Sequence, residues 1–258
     1  MKLYALYVGQ RVKARLAYRG DFLITMAGDV LLAAVGLAFV STLFAHVPAL
    51  GAWSRAEVLV SWGFSEAAVG LFFVTFGGLF SLNQRYIVGG ELDRVLVRPV
   101  NPYAQVLLEN LSWEDLPIAA LGVGVVAWGA ADLPALSLGE LAFVPVLLLG
   151  AVGVLGGLMT AVASMGFHLH HRGTAVGLVF QLSTFTRYPM DLFARPLRLL
   201  LTFALPLGFA GFYPATFLMS RPEWREYALA SPIVGLVAMA FGYAAFTFGL
   251  RRYASSGT

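Results

Sequence analysis

The sequence predicts an all-α integral membrane protein with six transmembrane helices, and three observations carry that prediction. The 258 residues are 59% hydrophobic and only 12% charged, with a mean hydropathy of +0.78. Soluble domains carry about 25% charged residues, so a bilayer rather than a larger core accounts for the deficit. Mostly apolar stretches of roughly 20 residues follow one another, the length that crosses ~30 Å of hydrocarbon. The third observation is a polar island, GGELDRVLVRPVNP at 89–102, set between long and nearly uncharged segments. The whole chain, 1–258, reads as a single transmembrane domain.

Residues 1–20 predict a helix lying in the membrane interface. Leu3, Leu6, Tyr7, Ala14 and Ala17 share one arc of a helical wheel, and Arg11, Arg15 and Arg19 recur on another. That arrangement sets cations against anionic head groups. The first span covers 22–45 and holds Asp29; the loop after it carries Trp53, a residue suited to the interface. The second span, 58–82, contains Glu66. Beyond the polar island come spans at 113–131 and 139–165, then a compact basic loop with His168, His170, His171 and Arg172. One crossing lies within 170–219, where apolar runs at 174–186 and 199–219 flank Arg187, Tyr188, Pro189, Asp191, Arg195, Pro196 and Arg198. The first run is short for a span, so length favours 199–219. One of the two crosses, and the other is a re-entrant or surface element. The last span, 231–250, is followed by Arg251 and Arg252.

Six crossings put both termini on one side. The segments on that side hold Lys2, Arg11, Lys13, Arg15, Arg19, Arg85, Arg94, Arg98, Arg172, Arg251 and Arg252. The opposite segments hold only Arg55, Arg187, Arg195, Arg198, Arg221 and Arg225. Basic residues accumulate in cytoplasmic loops, so the reading is a multi-pass cell-membrane protein (inner or plasma membrane) with both termini cytoplasmic.

Several function classes are excluded. A Walker A loop needs a lysine after a glycine-rich turn, and the only lysines are Lys2 and Lys13. ATP, if it drives this chain, binds elsewhere. The G-x-S-x-G and H-E-x-x-H patterns are absent, so no enzyme active site is predicted. With no cysteine there is no disulfide and no thiolate metal site. The HLHH run at 168–171 reads as a basic interfacial loop rather than a metal site. The dispersed basic residues make no nucleic-acid surface. Asp29 and Glu66 are the acids deepest in spans, which makes them candidates for a transport pathway or for hydrogen-bonded packing. Gly150, Gly153, Gly156 and Gly157 mark a close helix–helix contact.

The polar island predicts a short helix. Gly89 and Gly90 end the second span, since glycine is favoured just past a helix C-terminus. Residues 91–98 make two turns, with Glu91 and Asp93 where the helix dipole favours acids. Leu92, Val95 and Leu96 share an apolar face, while Asp93, Arg94 and Arg98 stay polar. Pro99 stops the helix, and Asn101-Pro102 turns the chain back. A short amphipathic helix across the mouth of two spans suits docking to a soluble partner.

GGELDRVLVRPVNPYAQVL also resembles the loop between the second and third spans of ABC type-2 permeases, which typically reads G-x-L-D-x-x-L-x-R-P. LAYRGDFLI at 16–24 and RYPMDLFARPLRLLLTFALPLGFAGFYPATFLM at 187–219 resemble two further stretches of a substrate-unassigned branch of that family, in the same order. The resemblance implies a permease subunit of an ATP-binding-cassette exporter that forms the translocation pathway. It implies a coupling helix in which Gly90, Glu91, Asp93, Arg94, Arg98 and Pro99 face a separate cytoplasmic ATPase, which would hold the ATP and Mg; this chain itself needs no cofactor. It further implies pairing with a second permease, a fifth span near 170–188, and a re-entrant element over 191–217. Tyr188, Pro189, Pro206, Tyr213 and Pro214 mark that element. The alternative reading is an ion- or proton-coupled secondary transporter using Asp29 or Glu66, and a third is a non-transporting scaffold.

Overall fold

The computed structural model describes residues 19–169 and 175–253. The interfacial helix expected over 1–20 and the loop residues His170, His171 and Arg172 lie outside them, save Arg19 and Gly20, which open the first helix. The described residues are overwhelmingly helical. α1 spans Arg19–His46. α2, Arg55–Phe76, starts at a capping box in which Ser54 and Glu57 satisfy each other's free backbone amides. It runs on through a 3₁₀ stretch, Gly77–Ser81, and a π stretch, Leu82–Val88. The result is a 34-residue rod, Arg55–Val88. At 1.5 Å per residue it is about 50 Å long against ~30 Å of hydrocarbon, so it projects well beyond the apolar layer.

The rod ends where Gly90 takes a φ of +73°, a left-handed conformation that glycine adopts without a Cβ penalty. α3, Glu91–Leu96, follows directly. α4, Pro102–Glu109, is capped by Asn101, whose side chain accepts from the Ala104 amide at 3.1 Å. A 61° bend separates α4 from the helix that begins as a 3₁₀ turn at Trp113–Asp115 and continues as α5, Leu116–Ala130. α6 covers Leu138–Ser164 and begins at a second capping box, Ser137 with Glu140. Then come α7, Gly166–Leu169, and α8, Ala175–Leu182, which tightens into a 3₁₀ stretch at Ser183–Arg187. α9, Arg195–Leu199, passes into a π stretch, Leu200–Ala204. After a 3₁₀ turn at Leu207–Ala210 come α10, Phe212–Thr216, and α11, Arg225–Leu250.

Among the described residues four helices are long and apolar enough to cross a membrane: Leu23–His46, Arg55–Val88, Leu138–His168 and Pro222–Leu250. The bent pair, Pro102–Glu109 with Trp113–Ala130, makes a fifth if counted as one span. Residues 199–219, which length favoured as a crossing, form no continuous helix. Pro206 has no amide to donate, Gly211 leaves helical space at φ −148° and ψ −78°, and the run divides at both. Hydropathy over a window cannot see those two breaks.

Small residues set the packing. α2 is the most enclosed rod, 83% of its most apolar window being buried, against 11% for α1. α2 and α5 run antiparallel, with Gly63 and Gly70 facing Gly122 and Ala119. α6 and α11 run parallel, with Gly150, Gly153 and Gly157 facing Pro232, Gly235 and Ala238. A Cβ at Gly157 would overlap the Ala238 carbonyl, so the G-x-x-x-G pair brings two backbones into direct contact.

Candidate functional site

Two polar assemblies stand out. The first is the island at the projecting end of α2. Leu92 and Val95 are buried and anchor α3 to the ends of the long helices. Leu96, expected on the same face, is instead exposed, as is Val97. Leu96 is the last residue of α3, and the surface that covers Leu92 and Val95 stops short of it. The charged residues are bound into a frame. Arg85 Nε donates to Glu91 Oε2 at 2.7 Å, and Arg98 Nη1 donates to Glu109 Oε1 at 2.8 Å. Gln105 Nε2 reaches the same Glu109 oxygen at 2.8 Å, and Asn110 Nδ2 donates to the Tyr86 hydroxyl at 2.7 Å. These ion pairs are partly solvated, so each contributes roughly 0–1 kcal/mol and together they orient rather than stabilise.

α4 is clamped independently. Asn101 Nδ2 donates to the Tyr243 hydroxyl at 3.0 Å, and the Tyr103 hydroxyl meets Thr160 Oγ1 at 2.9 Å. The island therefore bridges α2, α6 and α11. At the end of α11, burial and then the neighbouring Asp93 carboxylate hold the Tyr253 phenol above its ordinary range. Arg94 and Pro99 remain exposed at the rim. Arg85, Glu109, Tyr86 and Asn110 carry no motif. Only the Arg98–Glu109 proximity across the Pro99–Pro102 turn was open to inference.

The second assembly lies deep in the bundle. Glu66, 3% exposed, pairs with Arg187 Nη2 at 2.8 Å, although no guanidinium N–H is aligned for a hydrogen bond to that oxygen. Ser65 Oγ donates to the Thr186 carbonyl at 3.1 Å. Asp29 faces the same cavity as Glu66 and Arg187. Depth alone pointed to both acids; the cation that faces Glu66 lies over a hundred positions away in a segment that reads as a loop.

At the opposite end of α2 the segment 188–224 is tied down. Trp53 is fully buried within the protein, and its indole Nε1 donates to both Asp191 oxygens at 2.8 and 3.0 Å. Arg221 Nε donates to Glu57 at 2.5 Å and Arg221 Nη2 to the Ala52 carbonyl at 2.8 Å. The Glu57 hydrogen bond holds the Arg221 guanidinium above its already high range. Between these anchors the chain descends far enough for Gly211 to touch Ser65 and Thr186. The segment thus leaves and rejoins the same end of α2. Tyr213 and Pro214 are buried in it, Tyr213 meeting Thr202 Oγ1 at 2.6 Å; Pro189 is buried and Pro206 half-buried. Tyr188 packs against the core nearby.

A family model for ABC-2 family transporter proteins matches residues 30–257, nearly the whole chain. The chain belongs to the ABC-2 transporter family. No curated protein and no solved structure matches it. Family membership and the apolar helices together make it a multi-pass membrane permease component of an ABC transporter. They also agree with the loop motif at 89–102 that suggested the relationship.

Proposed function

We propose that this ABC-2 family permease is the membrane subunit of an exporter, driven by a separate cytoplasmic ATPase that docks on residues 89–102. The observation that carries the reading is mechanical. α3 is a two-turn helix set at the tip of a rod about 50 Å long, so a push on it is delivered along α2 into the bundle. Leu92 and Val95 fix it from beneath, and the Arg85–Glu91 and Arg98–Glu109 pairs brace it from the sides. Arg94, Val97 and Pro99 then face outward for the partner, with Gly90 setting the angle of the helix. Glu91 and Arg98 act chiefly as braces, and Asp93 couples α3 to the end of α11.

ATP and Mg would sit in that partner. ATP binding would close the ATPase pair and switch the permease between inward and outward access. Two permeases would pair across the bundle, both termini facing the cytoplasm. Residues 191–217 would be the re-entrant element in the outer leaflet, and Asp29 and Glu66 would line the pathway. Export direction rests on the family resemblance.

The test is co-purification of an ABC ATPase with this chain from detergent-solubilised membranes of its own cell. The double variant Arg94→Ala/Val97→Asp should insert normally yet lose the ATPase. Recovery of the ATPase in full with that variant would overturn the docking assignment.

A further inference from the structure

The cavity shared by Asp29, Glu66 and Arg187 has a volume of about 190 Å³ and lies between α1, α2, α5 and α8. Its depth follows from helix geometry. Asp29 lies six residues inside the candidate span that opens at Leu23, and Glu66 lies eleven residues inside the one that opens at Arg55. At 1.5 Å per residue these are about 9 and 17 Å from the span starts, both within ~30 Å of hydrocarbon. The remaining walls are apolar: Leu32, Val69, Phe73, Ile118 and Phe180. Phe73 and Phe180 pack edge to face with centroids 5.0 Å apart.

Charge in this cavity does not cancel. Glu66 and Arg187 neutralise each other, whereas Asp29 makes no hydrogen bond or ion pair among the described residues. Glu66 Oε1 is itself buried without an aligned donor. A carboxylate at this depth is costly unless something positive meets it. A metal ion is a poor match, because no three potential His, Asp or Glu ligands converge among the described residues and hard cations need six or more oxygens. An ammonium group needs one counter-ion and gains from neighbouring aromatic faces. The volume equals about six waters at ~30 Å³ each, the size of a head group with its first carbons. α1 forms one wall and is scarcely covered by the rest of the chain, which leaves an apolar tail a way out towards lipid.

We infer that this cavity binds the head group of an amphiphilic monocation, an alkylammonium, with Asp29 as its counter-ion and the Glu66–Arg187 pair as a fixed polar floor. Calling that molecule the cargo rests on the permease reading; the binding site does not.

The test is equilibrium binding of radiolabelled dodecylamine to the purified chain in nanodiscs of zwitterionic lipid, with no ATPase present. Unlabelled dodecylamine should displace the label, and dodecanol and dodecyl sulfate should not. Asp29→Asn should weaken binding at least about tenfold, the worth of one charge-assisted hydrogen bond, while Asp29→Glu retains it. Val69→Trp leaves the carboxylate but places an indole in the cavity from the partly buried wall, and should also abolish displaceable binding. The inference is overturned if dodecanol competes as well as the amine, or if Asp29→Asn or Val69→Trp binds like the unaltered chain. Should Asp29→Asn fail to give a monodisperse protein, Val69→Trp decides alone. Because no ATPase takes part, failure here leaves the docking assignment standing, and failure of co-purification leaves this site standing.

Discussion

Gly157→Ala adds one methyl group where α6 touches α11, and the structure says what that methyl meets. Its Cβ would overlap the Ala238 carbonyl carbon and oxygen and the Met239 amide nitrogen, all backbone atoms that cannot rotate aside. Four residues earlier on the same face, a Cβ at Gly153 would come only to 3.2 Å from the Gly235 oxygen, a contact relieved by a few tenths of an ångström. The first change must separate two long helices; the second need not. Overpacking costs typically 1–3 kcal/mol, and a backbone-on-backbone clash belongs at the upper end. For a chain of this size about 2 kcal/mol corresponds to a fall in Tm of about 4–8 °C. Thermal unfolding of the purified protein in a mild detergent should show that fall for Gly157→Ala, while Gly153→Ala stays within about 1 °C of the unaltered chain, as expected for a cost of a few tenths of a kcal/mol. Equal effects of the two, or a tolerated Gly157→Ala, would refute the claim that α6 and α11 meet by direct backbone contact.

Two further outcomes are expected from the same unfolding measurement. Arg187→Met strands the buried Glu66 carboxylate and should destabilise by about 3–5 kcal/mol, whereas the double change Glu66→Gln/Arg187→Met should recover most of that loss. No recovery would mean that Arg187 acts through packing alone. At the other end of α2, Asp191→Ala leaves the buried Trp53 indole without an acceptor and should cost about 1–3 kcal/mol, with Asp191→Asn milder because an acceptor remains. Identical Tm values for Asp191→Ala and the unaltered chain would show that the 188–224 segment is held without that bond.

Much of this architecture was legible in the residues because the signals are local. Low charge and long apolar runs mark membrane helices, and each helical boundary at the island has a neighbour that explains it. Gly90 supplies the left-handed residue that ends the α2 rod, and Asn101 caps α4. The buried pair Leu92 and Val95 followed from helical spacing. Leu96 did not, since spacing names a face but not how much of that face finds something to cover it. Trp53 illustrates the same limit: its type and place near a span end say nothing of the acceptor 138 positions away that its indole meets.

What the chain's own order of residues determined is its medium, most of its long helices and the place of its polar island, because these follow from composition and from the 3.6-residue period. The tertiary structure decided what those elements do to one another. It broke 199–219 at Pro206 and Gly211 and returned that segment to the end of α2 from which it came, through Trp53–Asp191 and Glu57–Arg221. It paired Glu66 with Arg187 and left Asp29 facing a cavity. It bound Glu91 to Arg85 and Arg98 to Glu109 as solvated braces at the surface. Each of these outcomes depends on which distant side chain arrives within about 3 Å, the reach of a hydrogen bond, and that distance exists only once the helices have packed.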